Sequence, residues 1–119
     1  MTQTEILVKA LVDGLREKKG KGIVIVDLAR ISGAICQQMI ICEGNTPTQV
    51  AALSDSAWDF AHKNAGEKPL SIDGKSGSVW IGMDYGTVIV HIFVPEQRAF
   101  YNLETLWADS KVTQIPNLD

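Results

Sequence analysis

No run of about 18 apolar residues that could cross a bilayer as a helix occurs in the sequence. Its start, MTQTEILVKALVDG, lacks the basic head and long apolar centre of a secretion signal. Both absences predict a soluble, cytoplasmic protein with no membrane partner. Cysteine is scarce: Cys36 and Cys42 stand alone. Six positions apart in one expected strand, they would lie roughly 20 Å from each other, beyond disulfide reach, and are expected to be buried thiols. A basic excess is also missing. Lys and Arg number 11 against 14 Asp and Glu, a net charge of -3 and a pI near 5.3, so direct sequence-specific binding to nucleic acid is not expected. The one basic run, Arg16 to Lys21, falls where a first helix would end and where cations complement the helix dipole.

Reactive groupings are equally thin. The two histidines, His62 and His91, share no close-pair spacing with the two cysteines, which argues against zinc and against a Cys–His nucleophile. Asp27, Asp73 and Asp84 lie near expected strand ends, but none belongs to a D-x-D pair, and GKSGS at 74–78 lacks the phosphate-loop spacing. Solitary strand-end aspartates are chiefly turn formers. No catalytic residue, metal ligand or cofactor site is expected. There are no internal repeats or low-complexity segments.

What the chain does contain is a compact alternation of elements. At 119 residues and 13.0 kDa it suits one domain, with a folded surface of roughly 6,300 Å² against roughly 19,000 Å² unfolded. Thr2 and Glu5 form a capping-box pattern ahead of Leu7, Leu11 and Leu15 at helical spacing, stopped by Gly20 and Gly22. Ile23 to Leu28 is a β-branched run expected to be covered on both faces. A turn at Ser32 and Gly33 precedes a second strand holding Ile35, Met39, Ile40 and Ile41. Thr46, Pro47 and Gln49 then open a second helix, with Val50, Leu53, Ala57, Trp58 and Ala61 inward and Gly66 as its stop. A short strand at 69–73 follows. VWIGM and TVIVHIF, joined by Asp84-Tyr85-Gly86, read as a hairpin. The last helix is expected over 96–107 with Phe100, Leu103 and Trp107 on one face. Residues 1–109 would form the single domain, and the aperiodic 110–119 tail is expected to be loosely ordered. The order predicts an α/β class: a mixed sheet of about five strands with covering helices.

Strand alternation puts Trp80, Gly82 and Asp84 on one face and Val79, Ile81 and Met83 on the other. Gly82 leaves a gap beside Trp80. The indole is then either an interface anchor or a side chain packed under a helix. His91 reads as a packed or hydrogen-bonded sheet residue.

GNTPTQV (44–50), WIGMDYG (80–86), VHIF (90–93) and RAFYNLETLW (98–107), in this order and spacing, resemble the ribosomal silencing factor family, RsfS or Iojap-related, over roughly residues 4–109. The resemblance implies a mixed-sheet domain similar to the nucleotidyltransferase fold but without its catalytic acids. It also implies binding to ribosomal protein L fourteen on the large subunit. Occupying that place would block association with the small subunit and repress translation when nutrients are limited. Homodimers are a family trait too, although no apolar stripe here demands one. The binding positions that carry over are Trp80, Ile81, Met83, Asp84 and Tyr85. Asp84 would accept from a basic partner side chain, and Tyr85 would be an amphipathic rim contact. Alternation assigns Ile81 and Met83 to the core as the competing reading. Departures are Gln37 and Gln38, where the family commonly shows an aspartate and an aromatic, and Thr46 for serine. Arg98, Tyr101 and Glu104 match family positions on the last helix, with a structural role in pinning it to the sheet. A nucleotidyltransferase-like enzyme is the alternative, and a second acid beside Asp84 or Asp27 would mark it.

Overall fold

A computed structural model describes residues 1–28, 36–103 and 111–117. The expected turn at Ser32 and Gly33, Ile35, and the helix positions Glu104 and Trp107 lie outside the described residues.

Local signals set the helices. Thr2 Oγ accepts from the Glu5 amide at 3.1 Å and Glu5 Oε1 accepts from the Thr2 amide at 3.4 Å, closing the expected capping box of α1 (Gln3–Glu17). Helix α2 (Pro47–Ala65) starts with Thr46 accepting from the Gln49 amide at 3.1 Å and ends at Gly66 with φ 66°. Only glycine takes that left-handed turn without strain. Gln49 turns its own oxygen to the Asn45 amide at 2.7 Å, so it braces the loop one residue before the cap.

Six strands build one sheet among the described residues: β1 (Lys21–Asp27), β2 (Gln38–Glu43), β3 (Ser71–Asp73), β4 (Trp80–Asp84), β5 (Val88–Phe93) and β6 (Lys111–Gln114), in the order β3-β4-β5-β2-β1-β6. β2 and β5 run parallel and the other pairs are antiparallel. The mixed α/β class is as expected, with one strand more. That strand lies in the tail read as loosely ordered: Lys111–Gln114 pairs with Val24–Asp27. All four of its residues are exposed, so its stability comes from ladder hydrogen bonds, and such an edge carries no alternating apolar signal.

Both sheet faces bury apolar rows. On one, α1 and α2 cover Ile23, Ile40, Cys42, Ile81, Met83, Val88, Val90 and Ile92 together with Leu7, Leu11, Leu15, Val50 and Leu53. On the other, Val24, Val26, Leu28, Met39, Ile41 and Phe93 form a smaller cluster. Helix α3 (Pro95–Tyr101) ends at Asn102, φ 46°; positions 104–107 of the expected helix lie outside the described residues. Its sheet-facing side carries Arg98, whose Nη1 donates to Glu43 Oε1 at 3.1 Å, and Tyr101, three residues on. Phe100, expected on one face with Leu103 and Trp107, is 80% exposed. Among the described residues no helix is long and apolar enough to cross a membrane.

The two long helices meet at Gly14. A Cβ there would stand 2.7 Å from the Ser56 carbonyl oxygen and 2.8 Å from Ala57 Cα, and Ser56 Oγ donates to the Gly14 carbonyl at 2.7 Å. Gly14→Ala gains about 1 kcal/mol of helix propensity, yet the backbone clash is expected to dominate and lower stability by about 1–3 kcal/mol. Urea denaturation checks this; a variant as stable as the parent would show that α1 and α2 can separate without loss.

Candidate protein-docking face

Register turns the hairpin into a surface. Trp80 faces Phe93, Gly82 faces His91 and Asp84 faces Ile89 across β4 and β5. These six share the face away from α1 and α2, and Trp80, Gly82, Asp84, Ile89 and His91 are all partly exposed. Ile81 and Met83 point the other way and are fully buried, with Ser54 Oγ of α2 donating to Met83 Sδ at 3.6 Å. They belong to the core, as alternation indicated, so their carry-over as partner contacts is corrected.

Tyr85 is corrected as well. It continues the odd-numbered row of Ile81 and Met83, is 6% exposed and packs in the helix-side core. It is no rim contact. Its hydroxyl has no hydrogen-bond partner among the described residues. Burial, with a smaller contribution from the Glu67 carboxylate, pushes the phenol up to about 12. The signal was present in the sequence: the period that buried Ile81 and Met83 extends one step further.

Trp80 sits in an aromatic nest. Its ring centroid lies 5.0 Å from Phe93, stacked, and 4.4 Å from Tyr101, tilted. Its Nε1 donates to His91 Nδ1 at 3.0 Å. Desolvation lowers the His91 imidazole from 6.5 to about 4, so the ring is neutral near pH 7. Tyr101 of α3 covers one side of the indole, while part of it reaches solvent. His91 is the hydrogen-bonded sheet residue expected.

Asp84 closes the turn. Its Oδ1 accepts from the Gly86 amide at 2.7 Å, and Gly86 has φ 85°, a left-handed conformation that explains the glycine. Beneath it, the buried Cys36 thiol is raised, first by desolvation and then by the Asp84 charge, against a smaller opposing hydrogen bond from the Ile89 backbone. Cys42 is buried in the other core and pushed up to about 12, chiefly by desolvation. Both cysteines are free. Exposed apolar side chains flank the face: Leu70 at 77%, Val79 at 41% and Phe100 at 80%. No sequence pattern marked Leu70, which stands beside the Gly86 turn.

The acids do not converge. Asp27 pairs with Gln38 on β1, three strands from Asp84 and so roughly 14 Å away. Asp73 is the diagonal neighbour of Asp84 across β3 and β4, at roughly 7–8 Å. Among the described residues no three His, Cys, Asp or Glu side chains come together. A cleft of about 480 Å³ lies at the far side of the sheet, lined by Gly22, Ile23, Val24, Arg98, Gln114 and Asn117 among others, and holds none of the expected site residues.

The family model described as "Ribosomal silencing factor during starvation" matches residues 1–119. A ribosomal silencing factor RsfS of Haemophilus influenzae is 39% identical over 102 residues, covering 86% of this chain and 98% of the relative. That of Bacillus subtilis is 32% identical over 115 residues, covering 97% and 95%. A crystal structure of a Chromobacterium violaceum protein superposes with a TM-score of 0.82 at 31% identity, covering 91% of this chain and 88% of that one. The chain belongs to the ribosomal silencing factor family.

Two outcomes follow from the buried polar groups. Tyr85→Phe removes only an unpartnered buried hydroxyl and is expected to leave stability unchanged or raise it by about 1–2 kcal/mol; a clear loss in thermal denaturation would reveal a partner for that oxygen. His91 is depressed in the folded chain, so between pH 6.5 and about 4 the unfolded chain binds more protons. Stability is therefore present above pH 6.5 and lost as pH falls through that window, by up to roughly 3 kcal/mol. Denaturation midpoints of wild type and His91→Asn across the window check this, since the variant should keep only the slope due to other groups.

Proposed function

We propose that this member of the ribosomal silencing factor family is a noncatalytic cytoplasmic regulator that binds ribosomal protein L fourteen on the large subunit and sterically blocks the small subunit. Translation is thereby repressed when nutrients are limited. The observation that carries the ribosomal reading is the family match along the whole chain. The geometry supports the place of contact: Trp80 and Asp84 mark the two ends of β4 on the sheet face away from α1 and α2, both partly exposed, with Ile89 opposite Asp84. A half-exposed indole held by neighbouring rings offers a large contact at little entropy cost, and an acid on a chain of net charge -3 suits a basic ribosomal protein.

Dimensions allow a blocking mechanism. A standard interface takes about 800 Å² per partner, roughly an eighth of the 6528 Å² surface. The remaining body, 35 × 33 × 28 Å, projects from the docking point and excludes a second large partner. Occupancy follows mass action and needs no chemical step.

The test is cosedimentation with isolated large subunits. Trp80→Ala is expected to weaken binding by about thirtyfold or more, the loss typical of a buried aromatic anchor. Asp84→Asn is the cleaner acid variant, because its amide oxygen still accepts from the Gly86 N–H while the charge is gone; about a tenfold loss is expected. Sedimentation of both variants at wild-type levels would remove this face from the reading.

A further inference from the structure

The contact between His91 and Trp80 is not explained by packing alone. Phe93 and Tyr101 fix the plane of the indole, but stacked and tilted ring contacts are tolerant of a half-turn about the terminal side-chain torsion. A hydrogen bond is not. Indole nitrogen is only a donor, so the 3.0 Å contact to His91 Nδ1 requires the lone pair there and the imidazole proton on Nε2. Of two indole orientations related by that half-turn against Phe93 and Tyr101, only the observed one brings the N–H to His91.

The sheet is built to permit that contact. Trp80 faces Phe93 and His91 faces Gly82, so the Trp80–His91 pair is a cross-strand diagonal, within reach of two long rings. Gly82 places no side chain between them, and a Cβ there would meet only His91 Nδ1, at an ordinary contact distance of 4.0 Å. On the other side His91 faces Ile41 of β2. The charged groups around it are otherwise engaged or one row away: Glu43 bonds to Arg98, Asp84 to the Gly86 amide, and Asp73 lies beyond Gly82. From α3, Tyr101 meets Trp80 with its ring.

We propose that His91 is a positioning residue of the docking face: its neutral imidazole selects one orientation of the Trp80 indole and so decides which ring edge a protein partner meets. This rests on the docking role of Trp80 proposed above. Protonation of Nδ1 would set donor against donor and release the indole, so the face presents its anchor at neutral pH and loses it in acid.

The experiment has an arm on the free full-length protein and an arm on binding. With nitrogen-15 labelling, the indole N–H resonance of Trp80, identified by its absence in Trp80→Phe, is followed from about pH 7.5 to about pH 3. In wild type it is expected to move with a midpoint below the ordinary histidine value; in His91→Asn, whose Oδ1 takes the place of Nδ1, it should stay fixed. At about pH 7.5, His91→Leu should bind large subunits about tenfold more weakly while His91→Asn stays within about twofold of wild type. A wild-type resonance that does not titrate, or His91→Leu binding as wild type while Trp80→Ala is impaired, would overturn the proposal. If Trp80→Ala itself binds normally, the docking reading fails, and the resonance arm still reports whether His91 orients the ring. Should His91→Leu fail to fold, the comparison of wild type with His91→Asn decides.

Discussion

The antiparallel register between β4 and β5 governs which side chains another molecule can reach. With Trp80 opposite Phe93 and Asp84 opposite Ile89, a slip of one position would send Trp80 and Asp84 into the helix-covered core and Ile81 and Met83 into water. Burying an indole N–H and a carboxylate without partners would cost several kcal/mol, as would exposing two fully buried side chains. Helices α1 and α2 thus do more than cover the sheet. By demanding an apolar row on one side, they hold the polar and aromatic row on the other in a single arrangement.

Much of this architecture is legible in the sequence because its signals are local. The caps at Thr2 and Thr46, the stop at Gly66 and the turn glycine Gly86 act within a few residues of themselves. Where the reading departed from the structure, the deciding contact lay far along the chain or the pattern was stopped too soon. β6 is exposed along its whole length and owes its existence to β1, some ninety positions earlier. Phe100 fits an apolar helical stripe, but α3 ends at Asn102, and its sheet-facing side is taken by Arg98 and Tyr101. Tyr85 is a surface contact by family resemblance, whereas the two-residue period of β4 carries it inward.

The pairing of Trp80 with His91 belongs to the illegible kind. Eleven positions separate them, and nothing in either local motif says that they are diagonal partners until the register is known. Once it is, three features of the motifs acquire one cause. The glycine between Trp80 and Asp84 puts no long side chain beside the pair, the histidine supplies the acceptor, and the phenylalanine two residues further supplies the stacking floor. Strand pairing converts three separate sequence positions into a support for one ring.

Asp84 shows why a structural role and a binding role need not compete. A carboxylate offers about four acceptor positions on two oxygens, and the turn takes one of them, the Oδ1 contact to the Gly86 amide. That bond orients the group and leaves Oδ2 available. Partial exposure keeps the desolvation cost of pairing with a cation small, whereas a fully buried acid would need its partner to be built in. The turn therefore aims the charge, and the register puts it on the same sheet face as the indole, at the other end of β4. Chemistry at this spot would require a second acid drawn close to the first; Asp73 is a diagonal neighbour on another strand and projects from an edge strand of three residues. A fixed ring at one end of a strand and an oriented charge at the other, on one sheet face, are an arrangement suited to recognition by contact.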